Sequence, residues 1–282
     1  MGVLITGSSG FLGKQLLKKI KNSVGYDLID NYDILNIDMI EKMVFNNKIE
    51  TIIHLAAVSD LNKFSDDESF GNKINIEGSR NIIKVCRKHN LRLLFASTCC
   101  CYGNNDCHPS DEESPICPTE PYAISKKIIE DDLAKEHFPY TIMRLATFYG
   151  PEMRKELANY IFMDKIYKGE KIKIHGNGKQ TRTYTHVDDI IGCIIQIYEQ
   201  PHTYNIVNCT STESISVLDV IKICENITGK KSDIEFVEDR KGQIIKEMII
   251  NDRIKNLGYS FKYKNFKEGM NNLFLWYIKN EQ

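Results

Sequence analysis

The chain has 282 residues, 42% of them hydrophobic, which is enough to bury one large α/β core or one domain plus a small lobe and excludes a disordered chain. Its 37 basic residues nearly balance 38 acidic ones, so no overall field favours nucleic acid or an anionic membrane, and any anion must be gripped locally. The nine cysteines are an odd number and include the run Cys99-Cys100-Cys101, which offers neither a disulfide framework nor zinc-ligand spacing and predicts a reducing, cytoplasmic setting without a metal.

In chain order, Val3-Leu4-Ile5 reads as a short buried strand, Gly7-Ser8-Ser9-Gly10 as a turn, and the segment from Phe11 to Ile20 as a helix with apolar residues at helical spacing among lysines. A hydrophobic strand this close to the first residue, with no apolar run near the roughly 18 to 20 residues of a membrane span, predicts neither export nor membrane insertion. A strand over 24–27, a helix after Asn36 and the apolar run from Thr51 to Ala56 follow. Then come a long amphipathic helix ending near His89, a strand over 91–96, a helix after Pro121 and a strand over 140–144. Strands separated by helices predict a parallel, doubly wound, Rossmann-type sheet over residues 1–150, with 179–208 returning to it. The short link between the second strand and Asn36 leaves out one crossover helix. Beyond Gly150-Pro151, shorter elements with turn signals at Gly176-Asn177-Gly178 and Arg240-Lys241-Gly242 predict a smaller α/β lobe for substrate over 151–282.

Gly7, Gly10 and Gly13 are spaced three apart directly after a strand and at the mouth of a helix. Such a turn lets backbone amides, including those of Phe11 and Leu12 in the first helical turn, face a pyrophosphate with no Cβ in the way. The triplet on its own is equally a tight strand-to-helix turn; its context favours phosphate. Asp27 ends the second strand twenty positions after Gly7, where a carboxylate accepts both ribose hydroxyls of NAD, although a solvated turn residue would look the same. No Arg or Lys lies between residues 22 and 41, so a 2′-phosphate would find no basic partner, and the expected cofactor is NAD.

Tyr122-Ala123-Ile124-Ser125-Lys126 places a phenol and an ammonium at i and i+4, on one helix face. A phenol is a poor base at neutral pH, and a neighbouring ammonium is expected to lower its pKa by favouring phenolate. The alternative is a surface pair on an amphipathic helix. Thr98, just after a predicted strand, falls at the carboxyl edge of the sheet, where ligands bind in such folds.

Taken together, these segments resemble the extended short-chain dehydrogenase/reductase family, its NAD-dependent nucleotide-sugar epimerase and dehydratase group, over nearly the whole chain. The landmarks are Gly7-x-x-Gly10-x-x-Gly13, Asp27, Asp33-Ile34, His54-Leu55-Ala56-Ala57, Asn75-Ile76-Glu77-Gly78, Ser97-Thr98 before Tyr102-Gly103, and Tyr122-x-x-x-Lys126. Further on stand Arg144-Leu145-Ala146-Thr147-Phe148-Tyr149-Gly150-Pro151, Gly178-Lys179-Gln180-Thr181-Arg182, His186-Val187-Asp188-Asp189 and Arg240-x-Gly242. The resemblance implies Tyr122 as acid/base at a sugar hydroxyl, Lys126 as its electrostatic partner and Thr98 as the hydroxyl holding the same oxygen. It implies Asp33 and Ile34 at adenine, Leu55, Ala56 and Ala57 along the pyrophosphate and ribose, and Asn75 steadying the turn at Gly78. Arg182 and Arg240 match arginines that grip a substrate diphosphate, surface solvation being their other reading. A homodimer through the long helix after Ala57 and the Tyr122 helix is also implied.

Two departures narrow the reaction. Where the family's sugar 4,6-dehydratases carry an acid pair after the catalytic Thr, this chain has Cys99 and Cys100, so elimination of water lacks its acid and base. Cys100 also aligns with a thiol that exchanges a proton beside a 4-keto group in some relatives, with Glu156 or Lys155 as candidate second base, or else it is packing. Thr147 stands where many relatives carry an Asn that contacts the sugar diphosphate. The expected activity is an NAD-dependent nucleotide-sugar 4-epimerase passing through a 4-keto sugar. The alternatives are a net C4 oxidoreductase and a Cys100-dependent 3- or 5-epimerase.

Overall fold

The computed structural model describes residues 2–60, 64, 66–104, 109–200, 203–239 and 244–281. Its centre is a six-stranded parallel sheet in the order β2-β1-β3-β4-β5-β9, formed by β1 (Gly2–Thr6), β2 (Ser23–Tyr26), β3 (Ile49–His54), β4 (Arg92–Thr98), β5 (Tyr140–Leu145) and β9 (Ile206–Cys209). Residues along each strand alternate between faces, and both faces are covered. Val3 and Ile5 of β1 pack with Leu16 of α1 (Phe11–Lys19) and with Ile190 and Ile194 of α7 (Val187–Glu199). Leu4 points the other way, into a core with Ile40 of α2 (Ile37–Asn46), Ile82 and Val85 of α4 (Ser79–His89), and Ile129 and Leu133 of α5 (Pro121–Leu133). The predicted Rossmann-type α/β fold is this sheet.

Between β2 and α2 lies only a short 3-10 turn, Leu28–Asp30, so β2 is the sheet edge and the chain crosses back over β1 to build β3. The order therefore reverses at β1, and the crevice at the carboxyl ends of β1 and β3 is where such sheets bind ligands. The long helix before His89 is composite: α3 (Glu68–Asn72) and α4 flank a π-helical turn, Lys73–Gly78. Asn36 caps α2 by accepting from the Met39 N–H, and Pro121 opens α5 where no intrahelical donor is needed.

A second core is built on β6 (Thr147–Tyr149), β8 (Thr181–His186) and β10 (Ser214–Ser216), ordered β10-β8-β6, and on the parallel pair β7 (Lys171–His175) and β11 (Asp233–Val237). Ile172, Ile174, Tyr184 and Ile215 pack there against α6 (Ala158–Lys168), α8 (Val217–Thr228) and α10 (Phe266–Asn280) through Ile166, Ile221 and Leu273. Of the expected return over 179–208, α7 and β9 join the large sheet whereas β8 belongs to the small one. A last short helix, α9 (Asp252–Asn256), contributes Ile254 to the α7 side of the main core. Among the described residues, no helix is long and apolar enough to cross a membrane, and the cysteines are free thiols.

Candidate active site

The glycine turn divides its labour three ways. Gly7 adopts φ +68°, and a Cβ there would stand 2.7 Å from the Ala56 nitrogen, so this position makes the turn and lets β1 and β3 close together. At Gly13 a Cβ would meet the Gly7 carbonyl at 2.2 Å, which welds α1 to the turn. Gly10 is different: its only near neighbour would be the Gly7 carbonyl, at 3.2 Å. Of the three glycines, Gly10 is the one where the protein itself would leave a Cβ the most room, so the turn stays open there to a group lying against it. This is the cradle that a dinucleotide pyrophosphate fits, at the N-terminus of a nine-residue helix.

Asp27 sits at the end of β2 and turns its carboxylate toward the same loop. Oδ2 accepts from the Ser9 N–H at 2.9 Å and Oδ1 from the Ile29 N–H at 3.2 Å. Two backbone donors thus fix the carboxylate while leaving lone pairs for ribose hydroxyls. Asp33 accepts from the Leu35 N–H at 2.9 Å. The side chains of Ile34 and Leu12 are buried in the two faces of the main core, Ile34 directly over Gly78, so at both positions only the main chain is left to face a ligand. Phe11 stacks on Phe148 with ring centroids 5.6 Å apart.

Leu55, Ala56 and Ala57 follow β3 and are held by a directional chain that sequence reading passed over as a motif. Ser79 donates its hydroxyl proton to the Asn75 carbonyl at 2.6 Å, so its oxygen accepts from His54 Nε2 at 2.9 Å. His54 Nδ1 then accepts from the Thr6 hydroxyl at 2.6 Å, and Thr6 accepts from the Ala56 N–H at 3.2 Å. Burial, with Lys126 adding to it, pushes His54 down to about 3, so the imidazole stays neutral and this tautomer is kept. Asn75 is structural, although its side chain ties the loop after β3 and not the turn at Gly78. Its amide brackets Val58, accepting from the N–H at 2.8 Å and donating to the C=O at 3.1 Å, and it also donates to Ser125 on α5 at 3.2 Å. The loop after β3 is thereby tied to the helix that carries Tyr122.

Thr98 is the last residue of β4 rather than beyond it, and its Oγ1 accepts from the Cys100 N–H at 3.1 Å. Lys126 is buried at 2% exposure, with Nζ 4.9 Å from the Phe95 ring centroid and 5.8 Å from that of Tyr122. Phe64 packs edge-on against Tyr122. The expected acidification of the phenol is not what the bare protein shows. Burial, with Cys100 and Cys101 adding to it, holds Tyr122 above its usual pKa, and the same burial pushes the Lys126 amine down to about 8. Desolvation disfavours both charged forms more than their proximity favours them.

The buried amine has a consequence for stability. A lysine held below its unfolded value of 10.5 disfavours the fold while protonated; this penalty, about 3 kcal/mol, is complete below pH 8 and fades as pH rises through 10.5. Lys126→Met is therefore expected to raise the Tm of the cofactor-free protein at pH 7, with the gain shrinking by pH 10, and to abolish turnover. A Tm lowered at pH 7 would contradict this account.

Arg182 lies on β8, half-buried, its guanidinium held by the carbonyls of Thr181 at 2.9 Å and Ile244 at 2.7 Å. Thr147 begins β6 and pairs with Tyr184. Arg240 lies outside the described residues. Cys100 is half-buried with its thiol pushed up to about 12, first by burial and then by Glu247, so it is a thiol and not a ready base. Glu156 is exposed and Lys155 is ion-paired with Glu281 at the surface.

Behind these groups lies an ion pair that also escaped notice in the sequence. Arg144 on β5 and Glu130 on α5 are 3% and 5% exposed and meet at 2.7 Å. Arg144 also donates to the Tyr102 hydroxyl at 2.9 Å, and Glu130 accepts from Ser97, next to Thr98. Glu130 follows Lys126 by four positions on the same helix face, and that spacing was the available signal.

Comparison with known proteins accords with this geometry. Residues 3–209 match the model of the NAD dependent epimerase/dehydratase family. A putative UDP-glucose 4-epimerase of Methanocaldococcus jannaschii is 26% identical over 308 aligned positions, covering 99% of each chain. A dTDP-D-glucose 4,6-dehydratase of Dictyostelium discoideum is 27% identical, covering 99% of this chain and 82% of its own. Among solved structures, the UDP-glucose 4-epimerase of Thermotoga maritima with UDP-glucose superposes with a TM-score of 0.90 at 23% identity over the full length of both chains. The UDP-glucose 4-epimerase of Thermus thermophilus in complex with NAD gives 0.89 at 20% identity, over 99% of this chain and 100% of its own. The chain belongs to the NAD dependent epimerase/dehydratase family, within the extended short-chain dehydrogenases/reductases, and is an enzyme that uses NAD.

Proposed function

We propose that the protein is a nucleotide-sugar 4-epimerase acting in the cytoplasm. The observation that carries the reading is the placement of Tyr122 and Lys126 on one face of α5 and of Thr98 at the end of β4, in the same sheet whose β1 and β2 lead into the glycine turn and Asp27. When bound, NAD would supply a hydride acceptor that gives the hydride back within the same turnover. Asp27 holds its ribose, the main chain around Gly10 its pyrophosphate, and Lys126 the ribose next to the reacting ring.

Tyr122 takes the proton of the sugar C4 hydroxyl, and Thr98 holds the same oxygen as its bond order rises. Tyr122 does this as the phenolate and becomes the neutral phenol, and Lys126 stabilises the phenolate before the transfer and again once the proton has been returned. The 4-keto sugar turns within the site, and Tyr122 returns the proton once C4 has been reduced on its other face. Arg182 and Arg240 grip the diphosphate. Dehydration is disfavoured because the positions after Thr98 hold thiols and Cys100 keeps its proton.

The purified protein with NAD is expected to interconvert one C4 epimer pair in a panel of UDP-, dTDP-, GDP- and CDP-sugars, with no net change in absorbance near 340 nm. Stoichiometric NADH formation would make it a dehydrogenase instead. We further infer a homodimer through the composite helix α3–α4 and α5, supported by Phe70 on α3 and Ile124 on α5, which are 51% and 44% exposed. Light scattering tests this against the 32.5 kDa monomer.

A further inference from the structure

The composite helix α3–α4 carries Gly71, Asn75 and Ser79 at every fourth position, and each holds part of the chain as it leaves β3. Ser79 accepts from His54 Nε2 at 2.9 Å, Asn75 brackets Val58 and reaches Ser125 on α5, and Gly71 lies under the ring of Phe64. In an unbroken α-helix every fourth residue drifts by about 40° around the axis, so two such steps would swing Ser79 away from the face of Gly71. The π-helical turn Lys73–Gly78 winds more slowly and takes up that drift.

Phe64 is 1% exposed, and its N–H donates to the Asp60 carbonyl at 2.8 Å. A Cβ at position 71 would stand 2.8 Å from two of its ring carbons, so glycine there makes the seat of the ring. The same ring meets Tyr122 edge-on, with centroids 6.3 Å apart and planes at 74°. Tyr122 remains half-buried, which leaves part of its surface to a ligand. The charged and titratable groups that bear on the phenol come from other positions: Cys100 and Cys101 in the turn after β4, Arg154 in the loop after β6, and Lys126 on α5 itself. Phe64 brings no charge. What it can give the phenol is cover and direction.

We infer that Phe64 is a positioning residue for Tyr122: seated on Gly71, it holds the phenol ring in the direction that brings the hydroxyl to the sugar oxygen and keeps water from one side of it. The loop after β3 and the reacting group on α5 are thereby set together. The inference rests on Tyr122 as the acid/base of the proposed reaction, but not on the hydride returning to the same sugar.

Steady-state kinetics of the NAD-loaded enzyme over a pH series, on whichever member of the UDP-, dTDP-, GDP- and CDP-sugar panel it turns over, test this. In Phe64→Ala, kcat is expected to fall about tenfold to a hundredfold with KM kept within about threefold, because misplacing the reacting group is felt in the transition state. Water reaching the ring favours phenolate, so the acidic limb of kcat/KM moves to lower pH by about half a unit or more. Phe64→Leu, which keeps an apolar cover, restores the limb and most of kcat. Gly71→Ala displaces the ring without removing it and lowers kcat about threefold or more with KM kept, although alanine is the better helix former and helix stability alone predicts no loss. In a Tyr122→Phe background, Phe64→Ala costs less than about threefold, since the group it positions is gone. If Phe64→Ala does not fold, Phe64→Leu and Gly71→Ala carry the test. Wild-type kcat in Phe64→Ala and Gly71→Ala, a loss confined to KM, or a loss of equal size in the Tyr122→Phe background overturns the inference and leaves the reading in place. Wild-type kcat in Tyr122→Phe, or no turnover of any sugar in the panel, takes down the reading and this inference with it.

Discussion

Replacing Tyr122 with Phe is expected to lower kcat by about 10²- to 10⁴-fold while leaving the fold and NAD binding unchanged. The phenol ring packs edge-on against Phe64 and lies near the Lys126 amine, contacts that Phe preserves, so only the hydroxyl is lost. The hydroxyl is the group proposed above to carry a proton to and from a sugar oxygen, while Cys100 holds its own proton. Steady-state kinetics beside a thermal melt and a cofactor titration separate the two effects. A Tyr122→Phe variant with wild-type kcat would remove Tyr122 from the chemistry and leave a protein that binds NAD without using this constellation.

The second large effect falls on stability. Arg144→Met is expected to destabilise the protein by about 3–5 kcal/mol, because it strands the Glu130 carboxylate at 5% exposure with Ser97 as its remaining side-chain partner. It also unties the Tyr102 hydroxyl, which accepts from Arg144 and donates to Asn208 at 2.8 Å, so β4, β5 and β9 lose a common clamp at their carboxyl ends. The double variant Arg144→Met with Glu130→Met should recover part of the loss, since replacing both charges removes the stranded one. Urea unfolding of the two single variants and the double measures this. Single variants that cost under about 1 kcal/mol would show that the pair is solvated or replaceable.

Legibility in the sequence followed distance along the chain. The glycine turn, Asp27 and the Tyr122–Lys126 pair are each set by spacings within one β-turn-α unit or one helix, and the alternation of strands and helices needs only local periodicity. The sign of the Tyr122 shift could not be read this way. It depends first on burial, with Phe64 packed on the ring, and then on the charge interaction with Cys100 and Cys101, all from two other segments, and the helix spacing reports only the ammonium. The assignment of β8 to the small sheet turns on its pairing with β6 and β10, a choice between partners that periodicity does not encode. Glu247 is the extreme case. It reads as one charge in an irregular stretch, and only its register against Thr181 and Thr183 places it near Cys100. Leu12 and Ile34 sit inside the ligand motif while their side chains pack in the core, a division between main chain and side chain that the motif alone does not report.

The reaction itself is tested most directly with a nucleotide hexose carrying deuterium at C4, incubated with the NAD-loaded enzyme in ordinary water, and in parallel with unlabelled sugar in heavy water. Hydride transfer at C4 predicts that the inverted product keeps its C4 deuterium and that no solvent deuterium enters C3 or C5. Deuterium entering C3 or C5 from solvent, and lost in Cys100→Ser, would contradict the account and move the chemistry from Tyr122 to the thiol.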